Sequence, residues 1–148
     1  MGVGNRSKGM KRSKIVIPLH LVWTTKNRER WITSEIEERL YRALYAKSEE
    51  LKVTVLTIGG MPDHVHIAVL FPATLTVANF VKQLKGVSQT LASDVLLGHR
   101  VLWQEGYGAF AFQIGLQNRV IHYIQNQKEH HNQSSLWPIL EITDEEVP

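Results

Sequence analysis

The chain contains no cysteine. That absence excludes disulfides and thiol catalysis. Long hydrophobic runs are also missing. The longest, residues 65–73, contains His66 and Pro72 and is far too short to span a bilayer. The N-terminus is basic but carries no apolar stretch of the kind a secretory signal needs, so the expected location is the cytoplasm. Charge of one sign is missing at each end. Residues 1–14 hold Arg6, Lys8, Lys11, Arg12 and Lys14 and no acid, whereas residues 141–148 hold Glu141, Asp144, Glu145 and Glu146 and no base.

At 148 residues, 43% hydrophobic and 21% charged, the chain has the size and composition of one globular domain with a single core. Its net charge of +3 is a mild bias towards polyanions. Residues 1–13 read as a flexible basic arm, and residues 132–148 as a tail that docks through Leu136, Trp137, Ile139 and Leu140 before its acidic end. Solvated tails are the plain interpretation. The sharper one makes Arg12 and Lys14 phosphate contacts.

Between the tails, residues 14–25 read as a central strand containing His20, which at such a position is more often structural than catalytic. Ser34 and Glu37 form a capping box that opens a helix with its apolar stripe at Ile36, Leu40, Ala43, Leu44 and Leu51. A strand over residues 52–58 follows, and Gly59 to Asp63 turns the chain into a second strand beginning at His64. Thr76 caps the next helix, whose stripe is Val77, Phe80, Val81, Leu84, Val87 and Leu91, with Gly98 as its stop. Lys82 and Lys85 lie on its flank, either as an ordinary polar face or as a phosphate-contacting surface. Residues 101–114 alternate aromatics with glycines and read as one bent strand or two short ones. Trp103, Tyr107, Phe110 and Phe112 are core there, or in part a base-stacking surface. A last helix spans about 116–131 behind a weak N-terminal cap. This order predicts an α+β fold, a ferredoxin-like antiparallel sheet with helices on one face.

The chemistry concentrates in the stretch Gly60 to Leu70, at His64-Val65-His66. Strand alternation puts His64 and His66 on one face, where two imidazoles can chelate a divalent metal, while Val65 packs on the other. On the last helix, Tyr123 and Gln127 are four residues apart and share a face. Periodicity alone makes Tyr123 a core-edge residue and Gln127 a surface one. A glutamine carbonyl can nevertheless ligate a metal, and two imidazoles with one amide add no charge, so an ion would keep its full +2 for polarising a phosphate. Such a donor set suits Mg²⁺ or Mn²⁺.

Five stretches in order, covering most of residues 14–131, together resemble the single-tyrosine transposases of the HUH superfamily, carried by insertion sequences and by their REP-associated relatives. They are residues 20–26 (HLVWTTK), 61–66 (MPDHVH), 82–88 (KQLKGVS), 103–110 (WQEGYGAF) and 123–131 (YIQNQKEHH). The resemblance implies that residues 14–131 form the catalytic domain. It further implies that His64, His66 and Gln127 bind the metal and that Tyr123 is the nucleophile. Members of the family cut single-stranded DNA beside imperfect-palindrome hairpins, hold the 5′ end as a phosphotyrosine, and rejoin strands by attack of a 3′-hydroxyl. They are commonly dimers, which leaves open whether Tyr123 acts in cis or in trans. Two other readings compete: a metal-dependent nuclease or phosphodiesterase that activates water, and a domesticated, non-catalytic nucleic-acid-binding module.

Overall fold

A computed structural model describes residues 13–132. The basic arm up to Arg12 and the tail from Gln133 lie outside the described residues, so the expectations for them, including a phosphate contact by Arg12, find no structural counterpart. The chain runs β1 (Ile17–Thr24), α1 (Ser34–Glu50), β2 (Thr54–Met61), β3 (His64–Phe71), α2 (Val77–Thr90), β4 (Gly108–Ala111), α3 (Gln117–Gln125) and α4 (Gln127–Asn132). The four strands form one sheet in the order β2-β3-β1-β4, with every neighbouring pair antiparallel. Each of the first two helices therefore links strands that are not neighbours, as the ferredoxin-like reading expects.

The alternation of β1 and β3 divides the sheet into two faces. Leu19, Leu21 and Trp23 of β1 and Val65, Ile67 and Val69 of β3 point to one side, where they meet Ile36, Leu40 and Leu44 of α1 and Phe80, Val81 and Leu84 of α2. Burying each of these side chains contributes about 1.5–3 kcal/mol. The opposite face carries His20, His64, His66 and Ala68. There α3 packs, with Val120, Tyr123 and Ile124 against Ala68. The expectation of helices on one face thus holds for α1 and α2, while the third helix returns across the other side. The histidine face is too polar to bury itself against a large apolar layer, and the short helices α3 and α4 cover it.

Several local expectations are adjusted. The N-cap of α1 is Thr33, not Ser34, and its side chain makes no capping bond. Glu37 does not reach back to complete a box; its carboxylate is held by Lys128 of α4 at 2.8 and 2.9 Å. In α2, Thr76 does cap, accepting from Asn79 N–H at 3.1 Å. Its buried stripe, however, runs through Phe80, Leu84 and Ser88, leaving Val87 exposed. Ser88 tolerates this burial because its hydroxyl donates to Leu84 O at 2.6 Å and accepts from Trp103 Nε1 at 3.1 Å. A π-helical turn extends α2 to Leu96, and Gly98, at φ +67°, ends it.

Gly59 and Gly60 belong to β2, so the hairpin turn contracts to Pro62-Asp63. The expected last helix is broken at Asn126 (φ −107°, ψ 27°). The Asn126 side-chain amide donates to His122 O at 2.8 Å and closes the end of α3.

Candidate active site

The turn before β3 is fixed on both sides. Thr25 N–H donates to Asp63 O at 2.9 Å and Ile32 N–H to Pro62 O at 3.0 Å. This sets the direction in which β3 starts, and so the direction of His64. Across the ladder, Thr24 and Met61 flank His64, and Val22 and Gly59 flank His66. The two rings share a face as alternation requires, with centroids 5.1 Å apart and planes at 75°.

Each imidazole has a partner at Nδ1. His64 Nδ1 lies 2.8 Å from Asp63 Oδ1, a carboxylate that only accepts, so His64 carries its proton there. Burial pushes the Asp63 carboxyl upward. The His64 hydrogen bond and the charges of His64, Arg28 and Arg30 outweigh it, leaving Asp63 below the ordinary carboxylate range. His66 Nδ1 lies 2.8 Å from His20 Nε2. Those two rings are parallel to within 1° with centroids 4.9 Å apart, which at so short a nitrogen–nitrogen distance means an edge-to-edge hydrogen bond and not a stack. Both histidines therefore keep Nε2 as the remaining ring nitrogen.

The other half of the site comes from α3 and α4. Tyr123 approaches His66 with ring centroids 6.3 Å apart at 85°. Gln127 Oε1 stands 3.4 Å from His64 Nε2. This is long for an N–H···O bond. With the His64 proton on Nδ1, two lone-pair donors face one another. Two donors bound at roughly a right angle to one ion, each about 2.1 Å away, are separated by about 3 Å, so the observed spacing fits a shared divalent cation. Among the described residues no three His, Cys, Asp or Glu side chains converge as a metal cluster. The Gln127 amide, which is not ionisable, is the third group beside the two imidazoles. Tyr123 and Gln127 are both about 1% exposed and His66 is fully buried, so the cluster is closed over.

What lets α3 come so close is Gly59. A Cβ at this position would lie 2.3 Å from Ile124 O and 3.0 Å from Ile124 Cγ2. The glycine read from sequence as part of a turn is the seat of the tyrosine helix. From the far side, Lys128 pairs with Glu37 and lies 3.4 Å from Gly60 O, tying α4 to α1 and β2.

Residues 13–127 match the family model described as IS200-like transposase. The chain belongs to the IS200-like transposase family. It is 26% identical over 117 residues to the ISDra2 transposase TnpA of Deinococcus radiodurans, covering 74% of this chain and 83% of that one. A crystal structure from Deinococcus radiodurans of a protein assigned as a transposase superposes with a TM-score of 0.62 at 24% identity, over 80% of this chain and 98% of the other. A REP-associated tyrosine transposase bound to a REP hairpin gives a TM-score of 0.62 at 15% identity, over 82% of this chain and 73% of that one.

Within this IS200-like chain, the residues expected to touch DNA do not join the His–Tyr cluster. Lys82 and Lys85 are on α2, across the sheet from the histidines. The Lys85 amine donates to Gln104 O at 2.8 Å and Gly106 O at 2.6 Å, anchoring the segment before β4, while Lys82 is exposed. Both line a cavity of about 330 Å³ with Gln89, Trp103 and Tyr107. Trp103 itself is buried in the core, against Trp23 and Trp31. Lys14 is exposed ahead of β1, beyond the strand end remote from His64. Sequence reasoning gave His20 no part in the site. The signal available was parity: His20 lies on the same face of β1 as the histidine pair does on β3, diagonal to His66 in the ladder.

Proposed function

We propose that this transposase cleaves and rejoins single-stranded DNA beside hairpins through a 5′-phosphotyrosine on Tyr123. His64, His66 and Gln127 would hold Mg²⁺ or Mn²⁺. The observation that carries the reading is the convergence, within one chain, of Tyr123 on His66 and of Gln127 on His64. The hairpin held by the REP-associated neighbour supports hairpin DNA as the substrate. Homodimers are part of the same reading, with Tyr123 acting on the metal site of its own chain or of its partner's.

In the reaction, Tyr123 Oη attacks the scissile phosphorus and loses its proton. The P–O3′ bond breaks, the departing oxygen takes up a proton, and the 5′ strand end stays esterified to the tyrosine. Attack by a 3′-hydroxyl reverses the step, so no nucleotide cofactor is consumed. The cation, when bound, supplies positive charge that polarises the phosphate. Asp63 holds His64 in the tautomer that offers Nε2, and the Pro62-Asp63 turn orients it. Because Tyr123 is buried, the phosphate enters when α3 and α4 open transiently, and the step proceeds once they close again with Tyr123 and Gln127 on the histidines. Their construction suits such movement. Helix α3 has nine residues, no side-chain cap at its start and a break at Asn126.

Tyr123→Phe separates this reading from a water-activating nuclease. Single-stranded hairpin oligonucleotides should no longer be cut. Cleavage that survives the substitution would transfer the chemistry to water and refute the tyrosine role.

A further inference from the structure

We propose that His20 is a positioning residue that selects the ligating nitrogen of His66; this rests on the metal reading above. The two rings are fully buried and share one hydrogen bond of 2.8 Å between His20 Nε2 and His66 Nδ1. One proton lies in that bond, and its owner decides what His66 can do. A neutral imidazole carries a single N–H. If His66 Nδ1 is the donor, its Nε2 keeps a lone pair for a cation. If His20 Nε2 is the donor, a neutral His66 must carry its proton on Nε2 and cannot ligate through it. A competent site therefore requires His20 to accept.

The parallel with His64 is direct. There a carboxylate accepts from Nδ1 at 2.8 Å; here a second imidazole nitrogen stands at the same distance. The difference is charge. Asp63 lies at the rim beside Arg28, with carboxylate and guanidinium 3.8 Å apart, so its charge is compensated. His20 lies in the middle of β1, paired with Ala68 and Phe110 and fully buried, where a carboxylate would be costly. A neutral acceptor is the form this position tolerates. The hydrogen bond also restrains the His66 ring, because the His20 ring that holds its other end is itself fully buried.

The test uses Mn²⁺ alone, without DNA, and reads affinity by calorimetry or by the electron paramagnetic resonance of free Mn²⁺. His20→Phe removes the acceptor at similar size and should weaken Mn²⁺ binding by about 10–100-fold. His20→Gln places a carbonyl oxygen near the lost Nε2 and should recover most of that loss, a rescue that a purely packing role would not produce. The wild-type protein supplies an independent reading. Long-range ¹H–¹⁵N spectra at about pH 8, above the ordinary histidine range, should show the His66 proton on Nδ1. An Nε2–H His66, or His20→Phe binding Mn²⁺ as wild type does, would overturn the role of His20 while leaving the metal site standing. Wild-type protein that binds no Mn²⁺ would overturn the metal reading and this role with it.

Discussion

Gly59→Ala puts a single methyl between β2 and the tyrosine helix. The added carbon would sit 2.3 Å from the backbone oxygen of Ile124, where ordinary contact begins near 3.4 Å. The obstacle is helix backbone, which cannot swing aside, so α3 must retreat by about 1 Å. Gly59 lies opposite His66 in the ladder, so the displacement acts directly over the site. His64 Nε2 and Gln127 Oε1, now 3.4 Å apart, would separate beyond the span of one ion, and Tyr123 would lift from His66. A misplacement of this size costs on the order of 10²-fold in rate. The larger core, on the other side of the sheet, is untouched, so the protein should still fold. Overpacking of this kind costs about 1–3 kcal/mol, or a fall in Tm of about 2–10 °C for a chain of this length. Single-turnover formation of the covalent DNA adduct on a hairpin oligonucleotide measures the rate, and calorimetry with Mn²⁺ measures the site. Wild-type rate and wild-type Mn²⁺ affinity in Gly59→Ala would refute the view that this glycine seats the helix.

Four further substitutions test the same geometry. Mn²⁺ at a hundred times its Kd should stabilise the wild-type protein by about 2.7 kcal/mol and should leave the Tm of His64→Ala unchanged; thermal denaturation with and without EDTA checks both. Lys82→Ala should lower the slope of log affinity against log salt for single-stranded hairpin DNA by about 1. Lys85→Ala should instead show its effect in stability, because its amine is engaged with the carbonyls of Gln104 and Gly106. Lys128→Ala breaks a half-exposed ion pair with Glu37 and should cost no more than about 1 kcal/mol in denaturant unfolding, while raising amide exchange in α4.

The parts of this molecule that follow a simple period were legible in the sequence. Alternation alone placed His64 and His66 on one face and Val65 on the other, and the order of elements led to the antiparallel sheet. The four-residue spacing put Tyr123 and Gln127 on one face, although the helix between them is broken; the Asn126 side chain caps that break, a contact that periodicity does not register. Three features were not legible because they depend on how distant segments meet. Gly59 looked like turn chemistry, and only the approach of Ile124 reveals why a side chain is excluded. Glu37 looked like half of a capping box, but its partner is Lys128, 91 positions later. His20 looked structural because its relation to His66 needs the register of β1 on β3, and a single strand does not specify that register.

The most direct measurement of the central claim is to trap the covalent product. The protein would be incubated with Mn²⁺ and a single-stranded hairpin oligonucleotide, digested, and the modified peptide sequenced by mass spectrometry. Catalysis by Tyr123 predicts a 5′-phosphoryl nucleotide on that residue and a free 3′-hydroxyl on the released strand. Cleavage with no adduct, or an adduct on any other residue, would contradict it.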